Sequence, residues 1–162
     1  MIGVYSMLVL ILIVLLFNTI AYSIPKRLTP IEMLTTTLFA MLIQLLTDIY
    51  LSLKYNIYGY FEKGPDWDSF IYILGIYPAV NIIFLNCFPY KKKLRNKILY
   101  VFVWGVFAMI FETIFIWSGT FYLNGWKQSY SIFTYPVLYV TLLLFHQFTV
   151  KLMKRSRKES DH

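Results

Sequence analysis

Charge is the scarcest property of this chain: only 14% of its residues are Asp, Glu, Lys or Arg, against about a quarter in a soluble domain. Cysteine is scarcer still. Cys87 stands alone, which excludes an internal disulfide and a thiolate metal cluster, and it is expected to be a small buried apolar residue. The motifs of soluble enzymes are missing too. There is no phosphate-cradling glycine loop, no HExxH and no GxSxG, so neither a cofactor nor a metal is expected. The regular apolar/polar alternation of an outer-membrane barrel is absent as well.

What the chain has is apolar sequence in long runs. It is 59% hydrophobic with a mean hydropathy of +0.61. Five runs, residues 2–22, 30–53, 69–88, 98–118 and 131–150, are each about long enough to cross a bilayer as a helix. They predict an all-α, polytopic membrane bundle of five transmembrane helices. One domain covers residues 1–150, and a basic cytoplasmic tail covers 151–162. The first run has no basic residue before it and no small-x-small pattern after it, so it reads as a retained anchor rather than a cleaved signal peptide.

The net charge of +7 would suggest nucleic acid in a soluble protein. Here the basic residues flank apolar runs, which points to membrane topology and contact with anionic lipid head groups, with no nucleic acid. Lys26, Arg27, Lys91, Lys92, Lys93, Arg95, Lys97, Lys151, Lys154, Arg155, Arg157 and Lys158 fall in one set of alternate loops, and Lys54, Lys63 and Lys127 in the other. Basic loops stay in the cytoplasm, so the N-terminus is expected outside and the C-terminus inside.

Residues 29–61 carry most of the pattern. Every fourth residue from Glu32 is polar or small: Glu32, Thr36, Ala40, Gln44, Asp48, Ser52. Such a row forms one ridge of a helix, and a ridge of this kind belongs against protein or a cavity rather than lipid. Thr29, Pro30 and Glu32 make a capping box, so Glu32 reads first as a cap. Asp66 and Asp68 are candidate caps for the third run, and Pro78 and Pro136 are kink sites. Gly105, Ala108 and Glu112 share one face of the fourth run, where the small residues suit close approach by another helix. Tyr55, Tyr58, Tyr60, Phe61 and Trp67 suit a membrane interface.

Topology assigns depths. Glu32 and Asp48 lie about 24 Å apart along a helix, too far to share one reacting bond. An outer layer holds Asp48 and Glu112 beneath loops bearing Tyr58 and Trp126. Gln44 and Asn81 lie between that and an inner layer of Glu32, Asn86 and His146, with Asn18 nearby. An ionised carboxylate on a lipid-exposed helix costs about 2.5–3.5 kcal/mol, and no Lys or Arg lies inside a run to pair with one, leaving Lys54 or Lys127 to reach in from the surface. Asp48, Glu112, Gln44, Tyr58 and Trp126 are therefore the candidate ligand- or ion-binding residues. A structural hydrogen-bond network between helices is the alternative. The two outer acids, each followed by an aromatic loop and a Tyr-Pro pair (Tyr77-Pro78, Tyr135-Pro136), also suggest two repeated hairpins.

The segments PIEMLTTTLFA, LLTDIYLSLKYNIYGYF, NIIFLNCFPY and FETIFIWSGTFYLNGWKQSYS resemble a family of small, uncharacterised integral-membrane proteins of spore-forming Gram-positive bacteria. The resemblance covers roughly residues 30–140 and implies a bacterial plasma membrane location, with no activity to carry over. Three functions fit the residues. One is a small membrane subunit or scaffold that contacts a membrane-protein partner or a second copy of itself. Another is a transporter-like protein binding a ligand or cation through Asp48 and Glu112 in an outward-facing pocket. The third, an intramembrane enzyme acting on lipid, needs a second chemical group such as His146 at the depth of an acid.

Overall fold

A computed structural model describes residues 3–61 and 67–160. Helices α1 (Val4–Ser23), α2 (Pro30–Thr47), α3 (Tyr77–Cys87), α4 (Leu94–Ser118) and α5 (Gln128–Ser160) pack around two short strands, β1 (Tyr58–Tyr60) and β2 (Phe121–Leu123). Two stretches wind as π-helix. Asp48–Lys54 continues α2, and Tyr72–Ile76 leads into α3. The second has a local cause: Pro78 brings no N–H to its turn, and just before it the N–H of Tyr77 reaches back five residues to the carbonyl of Tyr72.

Four helical stretches are long and apolar enough to cross a membrane: Val4–Ser23, Pro30–Lys54, Leu94–Ser118 and Gln128–Glu159. The fifth expected crossing is shorter, Tyr72–Cys87. At 1.5 Å per residue its 16 positions span about 24 Å, less than the roughly 30 Å of a hydrocarbon core. The segment nevertheless runs from one end of the bundle to the other. At its start, the loop after α2 pairs with the loop after α4 through the antiparallel strands, with Gly59 opposite Tyr122. At its end, the Oδ1 of Asn86 accepts from the backbone N–H groups of Arg27 (2.6 Å) and Leu28 (3.3 Å). The Arg27 and Asn86 loops thus share one end, and the two strand-bearing loops share the other.

The outer faces are apolar, as a bilayer requires. Leu12, Leu34, Leu38, Phe102, Ile110 and Leu144 are exposed. Inside, one core cluster gathers Leu10, Ile13, Phe17, Tyr72, Ile76 and Phe115 near the strands, and a second gathers Leu28, Phe84, Leu85, Val101, Leu142 and Leu143 toward the other end.

Polar residues fix the helix contacts. Thr29 and Glu32 form the expected capping box, the hydroxyl accepting from Glu32 N–H and the carboxylate from Thr29 N–H. Asn81 donates to Thr36 Oγ1 (3.2 Å) and Thr37 Oγ1 (2.9 Å), so the middle of the α2 ridge faces α3. Asn18 donates to the carbonyl of Gly75 (2.7 Å). It therefore ties α1 to the π turn rather than joining an inner layer. A Cβ on Gly75 would meet the methyls of Val14 at 3.0–3.1 Å, so glycine lets α1 come this close. Gly105 does the same for α5, where an added Cβ would meet Pro136 at 3.2 Å. The helix that the small residues of α4 admit is one of the chain's own.

Residues 151–160 of the basic tail continue α5 as helix, helped by the i,i+4 pair of Arg155 and Glu159 at 2.9 Å. One expectation changes. Cys87 is exposed, not buried. It is the last residue of α3, while its neighbours Asn86 and Phe88 turn inward. Asp66 and Lys63 lie outside the described residues.

Candidate functional site

The site lies under the strand pair, where α2, α3, α4 and α5 leave a chamber of about 260 Å³. Its walls are mostly apolar and aromatic, including Phe39, Phe111, Phe115, Phe121 and Tyr139. Two clusters of polar groups, one on each acid, reach its wall.

Asp48 is the first residue of the π segment and is half-buried. Its Oδ1 accepts from Tyr58 OH at 2.8 Å, Gln44 Nε2 at 2.9 Å and Tyr60 OH at 3.2 Å. Gln44 lies one α-helical turn back, so the ridge places it against the carboxylate. The two tyrosines arrive from β1. Their rings were expected at the membrane interface, but both are buried. Spaced by two, they point to the same face of the strand. In this three-residue strand the phenols of both reach the same carboxylate, on either side of Gly59. Gly59 carries the ring and hydroxyl of Tyr122 where a Cβ would sit. Tyr60 OH also meets Tyr77 OH at 3.1 Å. Burial first, then neighbouring groups including the Asp48 charge, pushes the Tyr58 and Tyr60 phenols above their ordinary range, so both remain donors at neutral pH.

Glu112 is on α4, 5% exposed, and lines the chamber. Trp126 Nε1 donates to Ser131 Oγ at 3.1 Å, and Ser131 Oγ donates to Glu112 Oε1 at 3.0 Å. The Tyr135 phenol, next to Pro136 on α5, lies within hydrogen-bonding reach of the carboxylate. The other oxygen, Oε2, is buried with no hydrogen-bond partner among the described residues. Neither acid forms an ion pair among those residues. Lys54 instead lies over the rings of Tyr50 and Tyr55, at 5.5 and 5.4 Å from their centroids.

The two clusters meet at the chamber. Gln44, Tyr58, Tyr60 and Tyr77 from the Asp48 side line it together with Glu112, Trp126, Ser131 and Tyr135. Asp48 itself stands behind its donors and does not reach the wall. Where α2 faces α5, the lining side chains Thr47, Leu51, Thr134 and Leu138 are only half-buried. Further toward the Asn86 end, the Phe39 and Phe145 rings stack at 3.8 Å and tie the same two helices together.

The expected inner layer is a different place. Asn86 holds the α1–α2 loop, Glu32 caps α2, and His146 Nδ1 meets Tyr90 OH at 3.2 Å. None of the three lines the chamber. Among the described residues no group of three or more His, Cys, Asp or Glu could hold a metal.

No family model matches the chain, and neither does any curated protein or solved structure. The family resemblance gains nothing from these comparisons, and the site rests on its geometry alone. Of the residues singled out from sequence for binding, Glu112, Gln44, Tyr58 and Trp126 line the chamber and Asp48 stands behind its donors; Tyr60, Ser131 and the pairing of the two loops were not among them. The repeated order of acid, aromatic loop and Tyr-Pro carried part of that signal. In the fold, each acid is followed by one of the paired strands and then by a tyrosine that returns to the chamber, Tyr77 or Tyr135.

Proposed function

We propose that this protein is an integral membrane protein that binds a small ligand in the chamber between α2, α4 and α5. Its five segments cross the bilayer with the C-terminus in the cytoplasm. Support for the topology is the sorting of the loops: those at Arg27 and Asn86 carry the basic runs, and the paired-strand loops are poor in Lys and Arg. The strand pair then roofs the chamber on the outer side. A ligand reaches it sideways, between the half-buried faces of α2 and α5.

The observation that carries the binding reading is Glu112 Oε2, a buried acceptor with no hydrogen-bond partner among the described residues, on a side chain that lines the chamber beside the Tyr135 phenol. A buried polar atom left unpaired costs about 1–3 kcal/mol, more when charged. A purely structural network has no reason to keep that cost, whereas a binding site recovers it from its ligand. The scaffold reading loses its main supports, because the α2 ridge and the Gly105 face are spent on contacts inside the chain. An enzyme using His146 is disfavoured by that ring's partner, Tyr90, and by its place outside the chamber.

Native mass spectrometry of the purified full chain tests the binding reading. Wild type is expected to carry a small-molecule adduct that Ala108→Phe, which fills the chamber, lacks while remaining folded. An adduct-free wild type, or equal adducts on both proteins, would contradict it.

A further inference from the structure

We infer that the ligand is a protonated alkylamine with an apolar body, its ammonium N–H donating to Glu112 Oε2. The inference rests on the binding reading above and names its ligand class.

The chamber asks for donors. Glu112 Oε2 is one unmet acceptor, and Asn81 Oδ1, 3% exposed and also on the chamber wall, is a second. The Asn81 amide is oriented by its neighbours. Thr36 spends its proton on the Glu32 carbonyl, so its oxygen must accept, and Asn81 turns its NH₂ toward it. Asp48 Oδ1 is already met by three donors, which leaves Glu112 Oε2 as the carboxyl oxygen on the chamber side without a partner among the described residues.

The chamber also excludes anions. Among the described residues no Lys, Arg or His is on its walls. The phosphate of a lipid head group would be buried there without a cation, and charges are buried only when paired. An amine without a phosphate meets no such penalty. Aromatic side chains complete the match: Tyr58, Trp126 and Tyr135 line the chamber together with the acid, and rings attract an ammonium within about 6 Å. The volume, about 260 Å³, lies just below the roughly 300–1,000 Å³ of drug-sized sites. That suits a small amine and not a two-chain lipid. A quaternary ammonium keeps the ring contacts but has no N–H for Oε2, so it should bind less well than the protonated amine.

Equilibrium dialysis against the full chain in phosphatidylcholine nanodiscs, with empty discs as blanks, tests this with 4-phenylbutylamine, its trimethylammonium analogue and 4-phenylbutanol. The amine is expected to saturate, and the other two to bind more than about tenfold more weakly, a difference of roughly 1.4 kcal/mol or more. Glu112→Gln should remove the preference for the amine, and Glu112→Asp should keep it. Amine and alcohol binding alike to wild type would overturn the ammonium assignment while leaving a binding chamber; that comparison needs no variant. If no probe saturates above empty discs, the chamber reading falls with it. Discs containing phosphatidylethanolamine separate the two sources of an amine. An unchanged curve is expected, and competition by that lipid would overturn the assignment to a free amine.

Discussion

Tyr58→Phe is a clean perturbation of the Asp48 cluster. It removes one oxygen and keeps the ring, which packs against Tyr60, Phe121 and Trp126. What is lost is the 2.8 Å bond to Asp48 Oδ1, the shortest of the three it accepts. A hydrogen bond to a charged group contributes about 1.5–3 kcal/mol and one between neutral groups about 0.5–1.5. Gln44 and Tyr60 remain, and the half-buried carboxylate recovers some solvation. The loss should therefore fall near 1–2 kcal/mol. For a chain of this size each kcal/mol moves the midpoint by about 2–4 °C, giving a drop of roughly 2–8 °C. Thermal unfolding in detergent, followed by the monodisperse fraction on size exclusion, measures it. A double-mutant cycle with Asp48→Asn isolates the pair, because contacting residues couple and independent ones add. A midpoint within about 1 °C of wild type, or strict additivity in the cycle, would refute the claim that β1 is held down by this carboxylate.

Other outcomes follow from the same geometry. Gly105→Leu should destabilise by about 1–3 kcal/mol, because even a Cβ there meets Pro136 at 3.2 Å; the same thermal assay checks it, and an unchanged midpoint would remove the close α4–α5 contact. Alkaline titration should find Tyr58 and Tyr60 still protonated at a pH where free tyrosine has ionised. Their raised folded values stabilise the fold fully below the unfolded value of about 10, and that contribution is lost as pH rises from there. Ultraviolet difference spectra of wild type and Tyr58→Phe that ionise identically would contradict this. Exposed Cys87, beside the Asn86 end, should react with a membrane-impermeant maleimide in inverted vesicles and not in intact cells; the reverse pattern would invert the orientation.

The helices were legible because long apolar runs leave little choice of structure, and the capping box was legible because its three residues are local. The ridge reading also held physical content. Gln44 meets Asp48 one turn on, and Thr36 meets Asn81. The paired loops were not legible. A three-residue Tyr-Gly-Tyr strand is too short for alternation to register, and its partner lies 63 residues away across two helices. The π segments had no local signal beyond Pro78, although Asp48 opens the first and Tyr77 follows the second. Tyr58 and Tyr60 looked like interface rings because composition cannot tell a ring at a head group from one donating to a buried acid. Cys87 was misjudged for a related reason: its exposure follows from the position at which α3 stops, which residue type does not set.

Cysteine accessibility at Ala108 tests the central claim, a reachable space inside the bundle beside Glu112. In a Cys87→Ser background reconstituted in lipid, Ala108→Cys places a thiol on the chamber wall, and Leu85→Cys places one in the closed core, where Leu85 is 0% exposed. A closed core reacts only through local opening, which costs free energy that a preformed chamber does not. With N-ethylmaleimide, the cysteine at 108 should be alkylated more than about tenfold faster, the rate ratio of roughly 1.4 kcal/mol. Equal and slow alkylation at both positions would mean that α2, α4 and α5 close on one another and that no chamber exists for Glu112 to face.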